Sequence, residues 1–371
     1  MPSKLRILHL IDKNRLTTGS VVQMMEAARG LARRGHRVSI GGTPGGDLED
    51  ACGEHGVGFL GLRFRGPRSC SSIRKLRRYL RAQETEILHV HKGRAHAAAL
   101  AAATGLGRNP RLVVNRGVVF RLDSFNKLKY HHPRVRAVVC VADAVREVSI
   151  GSAALDPSIV HTVYGGTDVK AFDPKRASRE PVRSDLDFDS EHVVIGQVSV
   201  RDWKGWAELI EAFARVRTNR PEARLLLIGC EGPHERSKIE TAARVAGVID
   251  YVVKLPYRTD MADILAACDV VVDASFAGTG ITGTIREAMA LERAVVATDC
   301  GGNKELVIDG DVGLVVPPRD TDALASALIR LAEDPSLRRR LGTAARKRVV
   351  DHFTTEHRID KLEALYREIL D

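Results

Sequence analysis

Three loops in the second half of this 371-residue chain carry residue types suited to handling a phosphorylated ligand. The first, Arg201-Asp202-Trp203-Lys204-Gly205-Trp206, sets two cations ahead of an amphipathic run of Leu209, Ile210, Ala212, Phe213 and Val216. Cations there would hold a diphosphate and stabilise the charge that builds on a leaving nucleotide. The same residues also read as a solvated loop with its tryptophans packed inward. The second loop, Gly278-Thr279-Gly280-Ile281-Thr282-Gly283-Thr284, runs into a helix bearing Arg286 and Glu287. Glycines let the backbone approach a phosphate, and the unpaired amides of a helix start attract anions. A carboxylate such as Glu287 can accept two hydrogen bonds from vicinal ribose hydroxyls. The third loop, Gly301-Gly302-Asn303-Lys304-Glu305, offers Glu305 for a similar task. Plainer readings stand beside both carboxylates, Glu287 as a helix-dipole partner and Glu305 as an exposed charge.

The first half offers different chemistry. Thr17-Thr18-Gly19-Ser20 stands where a strand would pass into a helix, so Gly19 and Ser20 could present backbone to a phosphate or sugar, or simply turn and cap. His91 and Lys92, after a short apolar run, and Asn115 and Arg116, after another, would face a sugar on the acceptor side. His89-x-His91 has the spacing of a metal pair, but no third ligand lies near it in sequence, so no metal is expected. Arg63, Arg65 and Arg68 precede a helical stretch, residues 71–82, in which Ile73, Leu76 and Leu80 share one face. Arg74, Lys75, Arg78 and Arg81 occupy the rest, as a solvated surface, a docking patch for anionic lipid, or a contact for a phosphorylated acceptor.

These residues need a frame. Short apolar runs at residues 5–11, 37–40, 87–90, 111–114, 137–141 and 159–163 alternate with helical or loop segments, and a second series occupies 192–196, 223–228, 250–253, 270–273, 294–298 and 313–316. Alternation of this kind implies α/β architecture with parallel, doubly wound sheets and right-handed crossovers. In such sheets ligands bind where strands end and loops enter helices. The polar stretch 173–190, with Pro174 and Pro181 and no sustained period, reads as a linker between a domain at 1–172 and one at 191–352. In the tail, 353–371, Ile359, Leu362, Leu365, Tyr366 and Ile369 line one side of a helix.

Composition excludes several classes. An ordinary hydrophobic content of 44% argues against a disordered chain, and no apolar run nears the roughly 20 residues of a membrane span. The six scattered cysteines read as free thiols, and the opening residues lack the core of a signal peptide, so a cytoplasmic protein is expected. The net charge of +10 is lopsided: residues 1–187 hold 32 Lys+Arg against 17 Asp+Glu, while the remainder carries a surplus of acid. An anionic partner on the first half follows, with the inner face of the plasma membrane one setting for it. Nucleic acid is set aside, because only 5% of residues are aromatic and no helix-turn-helix or zinc module is present.

Taken in order, Gly19–Val38, Ile87–His91 (ILHVH), Val113–Gly117 (VVNRG), Val163–Pro174 (VYGGTDVKAFDP), the Lys204-Gly205 loop, Leu225–Gly229 (LLLIG), Glu287–Ala290 (EAMA) and Gly301–Val307 (GGNKELV) resemble the retaining glycosyltransferases of family 4. The resemblance spans nearly the whole chain and implies the GT-B fold, two Rossmann-like domains facing across a cleft. It implies transfer of a sugar from a nucleoside-diphosphate sugar, UDP before GDP, to a glycan or lipid-linked acceptor in cell-surface polysaccharide or lipopolysaccharide assembly. It also implies retention at the anomeric carbon without a metal cofactor.

By the same resemblance Lys204 would bind the donor diphosphate and Glu287 the ribose. The turn of Gly280, Ile281, Thr282, Gly283 and Thr284 would lie against phosphates and sugar, amides near Gly19 would touch the diphosphate, and the last helix would cross back to the first domain. The chain departs from the family at several positions. Thr279 stands where the first of two glutamates eight apart is usual. Ser199 replaces an arginine whose place Arg201 could take, and Arg116 replaces a histidine. Gly19-Ser20 stands for Gly-Gly, and Gly165-Gly166 for Asn-Gly. Two other readings stay open: a nucleotide-sugar-binding protein without turnover, and a GT-B sugar-nucleotide epimerase.

Overall fold

A computed structural model describes residues 3–16, 18–64, 69–107 and 110–371, so Thr17, Arg65 and Arg68 lie outside the described residues. The chain forms two compact units, one of Met1–Gly166 with Thr355–Asp371 and one of Thr167–Thr354. In the first unit seven strands form one parallel sheet: β1 (Arg6–Leu10), β2 (Arg37–Gly42), β3 (Gly58–Gly61), β4 (Ile87–Val90), β5 (Arg111–Arg116), β6 (Val135–Cys140) and β7 (Val160–Thr162). Their spatial order is β3-β2-β1-β4-β5-β6-β7. β3 has no counterpart among the expected strands. Its four residues, Gly-Phe-Leu-Gly, are too few and too glycine-rich to show a period.

The second unit holds β8 (Val193–Val198), β9 (Ala223–Ile228), β10 (Val252–Leu255), β11 (Val270–Asp273), β12 (Ala294–Thr298) and β13 (Leu314–Val316), ordered β10-β9-β8-β11-β12-β13 and again all parallel. Strands buried on both faces need continuous apolar sequence, and β4 and β11 are buried along their whole length. In each sheet the chain builds outward from one strand, then returns to that strand's other side. The reversals fall between β1 and β4 and between β8 and β11, the switch points at which neighbouring loops part and leave room for a ligand.

The segment expected as a linker belongs to the second unit. It contains the helix Arg179–Asp185, packed against the helix Met261–Ala267. Arg183 anchors it. This side chain is 2% exposed, with its guanidinium on Asp269 at 2.7 Å and on the carbonyls of Ala267, Asp189 and His192. A buried arginine satisfied by carbonyls leaves no hydrophobic period behind, which is why the segment reads as a linker. The last helix, Thr355–Glu368, packs on the helix Gly19–Arg33 within the first unit and buries Ile359, Leu362, Leu365 and Tyr366 in that unit's core. Among the described residues no helix is long and apolar enough to cross a membrane.

Candidate functional site

The second unit gathers its three glycine-bearing loops at the carboxyl ends of β8, β11 and β12. After β8 the chain turns at Ser199 (φ 75°) and runs through Arg201 to Lys204 and Gly205. Gly205 sits at φ 65°, and a Cβ there would lie 2.0 Å from the carbonyl oxygen of Ala274, so only glycine allows this loop to touch the β11 loop. Gln197 fastens the same contact. Its amide donates to the Lys204 carbonyl at 3.1 Å and its carbonyl accepts from the Ala274 amide at 3.0 Å. The β12 loop closes from the other side, where the Gly302 amide donates to the Gly280 carbonyl at 2.8 Å and Gly301 leaves no room for a side chain beside Thr279.

At the centre lies Asp273, the last residue of β11 and 2% exposed. Its Oδ1 accepts from the Lys204 ammonium at 3.2 Å and the Ser275 hydroxyl at 2.6 Å; its Oδ2 accepts from Thr282 at 2.6 Å and the Asn303 amide at 2.9 Å. Burial alone would raise this carboxyl, but the Lys204 cation and the three other donors outweigh it, and Asp273 is held below the ordinary carboxylate range. In the sequence Asp273 is only the last residue of an apolar strand. A lone carboxylate closing the apolar run Val270-Val271-Val272 is the one signal that could have marked it.

Thr282 starts the helix Gly283–Ala290, whose first amides have no carbonyl partner inside the helix. Glu287 lies one turn in and is partly buried, and a Cβ placed on Gly283 would stand 3.7 Å from its Oε1. Burial pushes its carboxyl above the usual range, against the opposing charge of Arg286. Arg286 turns aside to the Thr167 hydroxyl at 2.9 Å. Thr279 is 6% exposed and its hydroxyl rests on the Ala277 carbonyl at 3.4 Å. Of the remaining expected residues, Arg201 is exposed with its guanidinium over the Trp203 ring, Ile281 lies partly buried in the turn and Thr284 partly buried in the first turn of the helix Gly283–Ala290, and Glu305 is partly buried in the helix Asn303–Leu306.

In the first unit the expected residues also fall at strand ends, with one change. Gly19 opens its helix with free space beside it, and Ser20 lies 3.4 Å from the Thr18 hydroxyl. Lys92 is exposed. Asn115 and Arg116 end β5, Arg116 reaching the Phe120 carbonyl at 2.6 Å. His91, expected to meet a sugar, is instead 5% exposed and faces inward. The third imidazole that the local sequence lacks comes from β1. Register pairs His9 with His89, placing His9 Nδ1 3.0 Å from His91 Nε2. One ring nitrogen from each of the three lies within 4.8 Å of the others. Burial lowers all three histidines, the nearby Arg358 lowers them further, and among the described residues no carboxylate joins the group. Tyr366 meets His89 Nδ1 at 2.6 Å, so the cluster reads as a neutral hydrogen-bonded core.

Two open parallel sheets, each with a strand-order reversal, and a cation, helix amides and a carboxylate assembled at the second reversal define a double Rossmann-like protein. Residues 17–171 match the family model described as Glycosyltransferase Family 4, and residues 190–334 match that of Glycosyl transferases group 1. The chain belongs to this glycosyltransferase family. A glycosyltransferase from Rickettsia africae shares the fold over the full length of both chains, with a TM-score of 0.89 at 21% identity. Anabaena Alr3699/HepE, solved with UDP and glucose, does so over 97% of this chain and 99% of its own, with a TM-score of 0.84 at 20% identity. The fold is GT-B. An alpha-maltose-1-phosphate synthase of Mycolicibacterium smegmatis is 32% identical over 259 residues, 63% of this chain and 65% of its own. The match thus spans a little under two thirds of that relative's length.

Proposed function

We propose that this protein transfers a sugar, with retention and without a metal cofactor, from a nucleoside-diphosphate sugar to a glycan or lipid-linked acceptor. The observation that carries the reading is the convergence of Lys204, the start of the helix Gly283–Ala290 and Glu287 on the switch point of the second sheet. Lys204 and the helix amides would take the charge of the departing diphosphate, which is the work a metal ion does elsewhere. Glu287, with its oxygens toward the glycine-lined turn, would accept the ribose hydroxyls. The departing phosphate oxygen would serve as the base toward the acceptor hydroxyl, so the chain itself supplies charge and position. UDP is the favoured nucleotide and GDP the next, in keeping with the UDP and glucose bound by the Anabaena protein. The exposed cations Arg74, Lys75, Arg78 and Arg81 suit an acceptor or a leaflet that is anionic, consistent with work at the inner face of the plasma membrane.

A second reading is favoured by Thr279. A buried threonine bound to its own loop stands where a glutamate is usual in the family, which suits a protein that holds a nucleotide sugar without turning it over. Thermal unfolding against UDP, GDP and ADP in EDTA tests the donor site. A ligand at 100 times its Kd adds about 2.7 kcal/mol of stability. One nucleotide should raise Tm in the native protein and not in Lys204→Ala or Glu287→Ala; no shift with any of them would refute the donor site. Release of free nucleotide from a UDP- or GDP-sugar in the presence of acceptor separates transfer from mere binding.

A further inference from the structure

A carboxylate buried beside the lysine meant for a diphosphate is at first sight misplaced, because it repels the ligand that the lysine attracts. The geometry shows what it does instead. A carboxylate has about four lone-pair positions, and Asp273 has all of them engaged, two donors on each oxygen. It therefore has no capacity left to take a proton, attack a carbon or hold a metal. Its four donors come from three different loops: Lys204 after β8, Ser275 and Thr282 after β11, and Asn303 after β12. Lys204 in turn gives one of its three N–H bonds to Asp273, and among the described residues no other acceptor takes the remaining two. A lysine side chain otherwise samples many rotamers, and fixing it beforehand removes that cost from binding.

We propose that Asp273 is a positioning residue of the donor site, aiming Lys204 and tying the three phosphate-facing loops to one buried charge; this rests on the donor reading given above. The proposal reverses the sign that simple electrostatics gives. If Asp273 acted only as a nearby negative charge, neutralising it would tighten the binding of an anion. If it positions Lys204, neutralising it weakens that binding and frees the lysine.

The test uses the full chain with Asp273→Asn, two probes and one chemical readout. UDP and inorganic pyrophosphate are titrated by calorimetry, and lysine acylation is followed residue by residue by mass spectrometry. Lys254, paired with Glu240 at 2.7 Å and as little exposed as Lys204 at 17%, is the internal control. We expect binding of both probes to weaken by about tenfold or more, as for loss of a charge-assisted contact, with Lys204 labelled faster and Lys254 unchanged. Equal or tighter binding in the variant overturns the proposal. If the native protein binds neither probe, the donor reading fails and labelling alone decides: faster modification of Lys204 in the variant keeps Asp273 as its anchor, and an unchanged rate removes it. Should Asp273→Asn not fold, Thr282→Val unties one loop and keeps the carboxylate. Weaker binding with Lys204 still protected then supports the proposal, and unaltered binding overturns it.

Discussion

At the scale of single residues the site holds two carboxylates in opposite electrostatic states. Asp273, with four donors, is kept ionised; Glu287, with no ion-pair partner among the described residues, is pushed toward its neutral form by burial. For a carboxyl whose value is raised on folding, the folded chain holds the proton more tightly than the unfolded one, so stability falls as pH rises past the unfolded value of about 4.3. An ionised Glu287 therefore costs stability at neutral pH, the expected sign for a group kept for binding. Glu287→Gln should melt at a higher temperature than the native protein at pH 7, lose the advantage in acid, and lose the nucleotide-induced shift. A lower Tm for the variant at pH 7 would contradict this. Sequence alone shows Glu287, because a helix start after a glycine-rich loop is a local pattern. It does not show Asp273 as a hub, because its four partners lie 69, 2, 9 and 30 positions away, and Lys204 and Asn303, from the other two loops, reach it only once the sheet has formed.

Elements decide what their residues can do, and register is the instrument. The spacing of His89 and His91 shows that they share a strand face; nothing local shows that β1 lies beside β4 and sets His9 against His89. The alternation of apolar runs made both sheets legible, except for β3. The helix Arg179–Asp185, held by a buried arginine rather than an apolar stripe, was not. The helix Thr355–Glu368 completes the cluster, bringing Tyr366 onto His89 and Arg358, with its guanidinium on the Val163 and Tyr164 carbonyls, near all three rings. With Lys92 also bearing on His91, the rings stay neutral in the fold. A histidine lowered on folding contributes stability that is complete above its unfolded value of about 6.5 and is lost as pH falls, for His9 until about 3. Each such ring removes about 1.4 kcal/mol per pH unit well below 6.5. Urea unfolding at pH 7.5, 6.5 and 5.5 should show this acid limb, and His9→Gln should make it shallower by about one proton's worth. An identical slope in the variant would mean that another group sets the acid sensitivity.

Across the whole molecule, charge is divided by sequence: residues 1–187 carry a surplus of 15 positive charges, and the rest a surplus of five negative. A net positive charge alone is no argument for a partner, since solvated lysines and arginines are common. The helix Ser69–Ala82 makes it one. Leu76 and Leu80 are buried against the first unit, so Arg74, Lys75, Arg78 and Arg81 are left together on the outside. Lys75 alone has a carbonyl partner, Gly61 at 3.0 Å, and none of the four has an acidic one among the described residues. Each cation near an anionic leaflet contributes about 1 kcal/mol, so four together should change affinity by two to three orders of magnitude, roughly. The attraction is screened within about 10 Å at 0.1 M salt and about 3 Å at 1 M. Sedimentation with vesicles of phosphatidylcholine, with and without about a third phosphatidylglycerol, separates the leaflet reading of this face from the other two. Binding that needs the anionic lipid, disappears at high salt and is lost when all four residues become alanine, with Tm unchanged, assigns the helix to a leaflet. Equal behaviour toward both vesicles removes the leaflet reading and leaves a solvated surface or a contact for a phosphorylated acceptor.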